Sequence, residues 1–234
     1  MVITAGLLAS LLASQVPDTA QTNYASLLKS YVKNGRVDYR GLAKKDMGKL
    51  DMYLKSVGTS KLPTKRAERI GFYVDAYNAI VMKAVIAANY PKSVLKVKGF
   101  FDNRKYEVAG QTVSLNQLEK KILNPYAKDA RTHMVLVCAA VGCPVIENKP
   151  YFGSNINKRF DAASRRYLQG ATGAQVSPGN LQLSHIFKWY EGDFGGATGR
   201  LAFVKKYLSK DQLKAAGANP KISFFEYNWQ LNDK

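Results

Sequence analysis

D-A-R-T-H-M-V-L-V-C-A-A-V-G-C-P occupies residues 129–144, and the way its middle folds decides the fold class. Met134 to Val137 is an uninterrupted apolar run too short to make a helix of its own, the signature of an interior strand. His133 stands at the entrance of that run, and Cys138 and Cys143 stand near its exit. In extended geometry His133 and Cys138 point to opposite sheet faces, because an odd separation reverses side-chain direction. Cys143 follows Gly142 and precedes Pro144, a turn that can fold back and let the backbone approach a ligand closely.

On the N-terminal side of this stretch the spacing is helical. Tyr24, Leu27, Leu28, Tyr31 and Val32 recur at helical intervals, and Gly35 can end that helix. A second helix is expected from Leu42 to Val57, with Met47, Leu50 and Leu54 inward and Gly58 at its end. Pro63-Thr64 opens a third that runs to about Asn89, before Pro91. From Ile70 to Ala88 its apolar residues occupy nearly every face, which marks a central, buried helix. Lys105–Val108 and Gln111–Val113 flank Ala109-Gly110 as a hairpin, and Ser114 can cap a helix from Leu115 to Leu123.

Beyond the cysteines, Ser154 to Gln169 carries Ile156, Phe160, Ala163 and Tyr167 on one helical face. Pro178-Gly179 turns into a short strand at Leu181–Leu183. Helix resumes around Ser184–Tyr190 and again at Arg200–Leu208, and Ile222–Trp229 alternates as a terminal strand. Helices interspersed with a few mostly hairpin-linked strands predict an α+β fold, with helices around a small, mostly antiparallel sheet.

The chain has 234 residues with 46% apolar and 11% aromatic residues, enough for one sizeable core. Val2–Ala13 is uncharged and of the length of a signal-peptide core, so residues 1–22 are taken as leader and linker and 23–234 as a single domain. Export to the periplasm or cell envelope is the expected localisation, with no membrane span in the mature protein. Lys and Arg number 35 against 17 Asp and Glu, a net charge of +18. That favours acidic partners, but the charges are scattered and no nucleic-acid signature accompanies them. The expected partner is therefore a small-molecule or peptide substrate, acidic in character, and not nucleic acid. With His133 and His185 the only histidines, a four-ligand zinc site lacks donors, and no metal or cofactor is expected.

The two cysteines leave three readings open from the residues alone: a nucleophile, a buried structural thiol, or a disulfide closing a tight loop. A nucleophilic thiol needs a base, and His133 is the candidate. Tyr77, Asn78 and Asp75 on the central helix need buried partners, as structural ties or as a pocket wall. Glu119 could orient His133 or pair with Arg131. His185 and Asp193 are expected at a helix end and as a turn cap, and Trp189, Tyr190 and Phe194 in the core.

Four elements together resemble the domain-of-unknown-function 547 family. They are Phe72-Tyr73-Val74-Asp75-Ala76-Tyr77-Asn78, then Leu118-Glu119-Lys120, then the His133–Pro144 stretch, then Leu183–Phe194, which includes F-K-W-Y. Asp75 stands where that family usually has Asn, and Lys120 where it usually has His. The resemblance implies a bacterial exported member, a common pocket, and a site with Cys143, His133 and Glu119 as catalytic candidates. Cys138, Asn78, Tyr77, Asp75 and Arg131 are the substrate-binding candidates. By analogy with papain-like and transglutaminase-like enzymes, it implies a thiol-dependent hydrolase or acyl transferase, or thiol exchange with a small thiol such as glutathione. The alternative is a non-catalytic basic envelope module with a structural cysteine pair.

Overall fold

The computed structural model describes residues 16–234; Val2–Ala13, taken as a leader, lies outside the described residues. Helix α1 (Asp18–Tyr31) buries Ala20, Tyr24, Leu27 and Leu28, so its first turn falls within the stretch taken as linker. Strands β1 (Val32–Lys33) and β2 (Arg36–Val37) pair antiparallel. Gly35, at φ +76°, turns this hairpin, and the helix ends before it at Tyr31. Where one helix was expected there are two, α2 (Tyr39–Lys45) and α3 (Met47–Thr59). The break falls at Asp46, whose carboxylate accepts from the Tyr31 hydroxyl at 2.6 Å and pairs with Lys49. Gly58 is buried in the last turn of α3 and does not terminate it.

Helix α4 (Arg66–Ala87) is the axle of the fold. Every residue from Ile70 to Met82 is buried, as a helix apolar on nearly every face demands. It is long and apolar enough to cross a membrane, but 83% of its most apolar window is buried inside the protein. Its two buried polar residues are fully engaged. Asp75 accepts from the Tyr151 and Phe152 amides at 2.8 and 2.7 Å. Asn78 donates to Val135 O and accepts from Val137 N, both at 3.0 Å.

That last pair of hydrogen bonds accounts for the backbone of Met134–Val137. The run Met134–Val137 is not a strand: a 3₁₀ turn spans Ala130–Met134, and irregular backbone follows it. A buried segment must place its peptide groups somewhere, and here the Asn78 amide takes the place of a neighbouring strand.

Strands β3 (Tyr106–Val108) and β4 (Gln111–Val113) form the expected hairpin. Ser114 opens the next helix with a reciprocal capping box to Gln117. That helix continues past the expected end as α5 (Leu115–Gln117), a π-helical segment (Leu118–Leu123) and α6 (Asn124–Ala127). Helix α7 (Ile156–Gln169) starts at an Asn155 cap. Strands β5 (Ala174–Ser177) and β6 (Asn180–Ser184) form a hairpin. After α8 (Ile186–Trp189), α9 (Gly196–Tyr207) and α10 (Lys210–Ala216), β7 (Lys221–Phe225) returns parallel to β6. The architecture is α+β, with small and mostly antiparallel sheets at the edge of a helical core.

The tail after β7 locks the cysteine loop. Val141 N donates to Gln230 O, Gly142 N to Asn228 O and Asn232 N to Ala139 O, at 2.8 to 3.0 Å. Asn232 in turn accepts from the buried Tyr39 hydroxyl at 2.8 Å. At Gly142 a Cβ would lie 3.1 Å from Asn228 N and O, so the bare backbone lets the tail approach this closely.

Candidate functional site

Four segments meet around a cavity of about 900 Å³: the π-containing helix, the cysteine loop, the stretch from α8 to Asp193, and the tail. Five of the eight sequence-derived candidates line it, namely Tyr77, Glu119, His133, Cys138 and Cys143. The other three do not. Asp75 and Asn78 tie α4 to the 150s loop and to the cysteine loop. Arg131 is bound by Asp129 and Asp161 with Asn157 beside them, so it neither pairs with Glu119 nor reaches the cavity.

The His133 ring is buried against Tyr190, with ring centroids 4.0 Å apart, and lies near Phe194 at 5.7 Å. Its Nε2 is 2.8 Å from Asp193 Oδ2. A carboxylate only accepts, so Nε2 carries the proton, and the lone pair of the neutral ring is on Nδ1. Burial pulls the His133 pKa below its ordinary value; the Asp193 hydrogen bond and the charge of Glu119 oppose that fall. Every enclosed side-chain nitrogen or oxygen among the described residues has a partner, and Nδ1 of His133 has none there. The ring itself lines the cavity. The strand-based expectation that His133 and Cys138 diverge is overturned, since without a strand the alternation rule does not apply.

Glu119 is buried and accepts from the Tyr77 hydroxyl at 3.1 Å. Burial and the Glu119 charge raise the pKa values of Tyr77 and Tyr190, keeping both as neutral donors around the carboxylate. Glu119 reaches this position from the π-helical segment, whose wider turn shifts the register of the face it presents.

Cys138 and Cys143 are joined as a disulfide. Of the three readings left open, bonded sulfurs are the one present. The Cys138 amide donates to Cys143 Sγ at 2.9 Å, and the Tyr227 hydroxyl lies 3.3 Å from Cys138 Sγ. Cys143 is buried and Cys138 half-buried. The Gly142 and Cys143 amides are spent on Asn228 O and Ala140 O, so they are not free to stabilise an oxyanion.

Three residues expected elsewhere belong here. Asp193 is a partner of His133 and not merely a turn cap. Trp189 is 48% exposed and not core, and it clusters with Tyr227 and Trp229 at centroid separations of 4.7 to 5.6 Å. Tyr190 is half-buried, packs on the His133 ring and lines the cavity with it. The signal for Asp193 was a carboxylate beside the F-K-W-Y element in a chain with only two histidines. For the tail aromatics there was none.

These features define an α+β protein with one aromatic-rimmed cavity that gathers a carboxylate-held imidazole, a tyrosine-bound glutamate and a sulfur pair. The family model described as Protein of unknown function, DUF547, matches residues 61–168, and it is over this span that the chain shows that family. The matched span carries Tyr77, Glu119, His133 and both cysteines; Asp193 and the aromatic rim come from the chain beyond it. Neither a curated protein nor a solved structure matches the chain, and the papain-like and transglutaminase-like likeness stays an analogy.

Proposed function

We propose that the cavity is the active site of a thiol-dependent hydrolase or acyl transferase, held here in its oxidised form, with Cys143 as nucleophile and His133 as base. The observation that carries this reading is the presence, in one cavity, of both sulfurs and an imidazole whose Nε2 is held by Asp193.

A small thiol first reduces the pair: two equivalents of RSH become one RSSR, and two cysteine thiols are released. His133 Nδ1 then takes the proton of the Cys143 thiol, and the thiolate is stabilised by the Cys138 amide that already points at this sulfur. Attack on a carbonyl carbon forms the C–S bond. Collapse expels the amine or alcohol, which receives the proton from the imidazolium. Water, or a second acceptor, attacks the thioester with His133 again as base and returns the thiol. Asp193 keeps Nε2 protonated throughout, the orienting role a third group plays in such sites. An oxidising exported location agrees with a bonded pair.

The test is alkylation of the reduced protein by iodoacetamide, followed by mass spectrometry across pH 5 to 9. Cys143 should label at pH values below the ordinary thiol range, and His133→Ala should return its profile toward that of a free thiol. A Cys143 that labels no faster than a model thiol at every pH ends the proposal. The second reading, a binding module in which the bond only staples the loop, is favoured by the disulfide itself. It predicts that reduction changes stability and leaves ligand affinity untouched.

A further inference from the structure

The cavity has a polar stripe that the chemistry above does not use. Asn116, Lys120, Asn124 and Lys128 recur every four residues along the π-containing helix, and all four line the cavity. Lys120 and Lys128 are exposed, and neither makes an ion pair among the described residues. The two acids that line the same cavity are engaged, Glu119 by Tyr77 and Asp193 by His133. Lys120 is close enough to His133 to help lower its pKa, so this cation borders the reacting groups. In the same cavity Trp189, Tyr227 and Trp229 cluster as an aromatic surface, and the exposed Leu95 also lines it.

We infer that the cavity takes an organic anion with a flat apolar body, the anionic group held by Lys120 with Lys128 and the body laid on the Trp189, Tyr227 and Trp229 surface. The cations supply a charge-assisted contact, and the aromatic faces bury apolar area beside it. The inference rests on this cavity being the substrate site, but not on the thiol chemistry.

The chain contains two tryptophans, and both line the cavity, so intrinsic fluorescence excited at long wavelength reports on occupancy. The oxidised protein, in thiol-free low-salt buffer, is titrated with hippurate, with neutral hippuramide of the same shape, and with phenyl phosphate. At least one anion should shift or quench the emission saturably, with an apparent affinity roughly tenfold or more above that of hippuramide. Hippurate alone assigns a carboxylate ligand, and phenyl phosphate alone a phosphate ester. The double variant Lys120→Met with Lys128→Met, exposed positions whose stems are kept, should bind hippurate and hippuramide alike. No response to either anion, equal response to anion and amide, or undiminished preference in the double variant each overturns the inference. Because the oxidised protein is used, failure here is separate from failure of Cys143 to react after reduction.

Discussion

Asp193 Oδ2 and His133 Nε2 stand 2.8 Å apart across 60 residues of sequence, and this contact decides which nitrogen of the imidazole is free. The Asp193 side chain is 48% exposed while the ring is buried. Its loss therefore bears on the histidine's charge and orientation more than on the stability of the fold. Asp193→Ala should cost within about 1 kcal/mol of stability, as for other half-exposed pairs. The His133 pKa, already below its ordinary value because of burial, should fall further once the hydrogen bond that raises it is gone. With only two histidines in the chain, the ring resonances can be followed by NMR against pH. A His133 that titrates higher in the variant than in the parent protein contradicts the contact.

The Asn78 amide closes two hydrogen bonds to the backbone of the cysteine loop, and α4 has no other polar group there to replace it. Asn78→Ala leaves Val135 O and Val137 N unsatisfied in the interior, and a destabilisation of about 2–4 kcal/mol is expected. The same variant should accelerate amide exchange at Val137 and reduction of the nearby disulfide. Unchanged exchange at Val137 would mean that the loop is held by other contacts.

Much of the frame was legible because its causes are local. Ser114 announces a capped helix, Ala109-Gly110 a hairpin, and the all-round apolar character of Ile70–Ala88 a buried axle. The segment Met134–Val137 was not legible as irregular backbone. Its apolar run fits a strand equally well, and the groups that satisfy it, Asn78 and the tail from Asn228 to Asn232, are far away in sequence. The π-helical register that brings Glu119 and Lys120 to the cavity leaves no periodic trace in six residues. The site was half visible for the same reason. His133, Glu119 and the cysteines lie close together in the sequence, whereas Asp193 and the tail aromatics arrive by long-range packing.

Asp75 links pH to stability. Burial raises its pKa from 3.8 to about 7, against the lowering effect of the two amide hydrogen bonds. A group whose folded pKa lies above its unfolded value stabilises the fold fully below the unfolded value, and that contribution is lost as pH rises through the folded one. The contribution of Asp75 should therefore decline between about pH 4 and pH 7 and stay flat above. His133 acts with the opposite sign below its unfolded value, because burial depresses its pKa, so the Asp75 effect must be isolated by difference. Asp75→Asn sacrifices one accepted amide bond, about 1–3 kcal/mol. Its melting temperature should move closer to that of the parent protein as pH rises from 4 to 7. A constant gap across that range would show that Asp75 titrates near its ordinary value.

The disulfide closes a loop of sequence separation 5, and so small a loop restricts the unfolded chain only modestly. Chain-entropy reasoning gives about 2 kcal/mol for a loop of this size, toward the low end for disulfides, while the loop keeps its ties to Asn78 and the tail after reduction. The reduced protein should therefore remain folded, with its denaturation midpoint lowered by that amount, and the double variant Cys138→Ser with Cys143→Ser should match it and ignore reductant. This outcome would mean that the bond can open without dismantling the cavity around it, which a thiol-dependent site requires. Global unfolding on addition of reductant, seen as loss of the near-ultraviolet circular dichroism signal, would instead assign the bond a purely structural role and leave the binding-module reading standing.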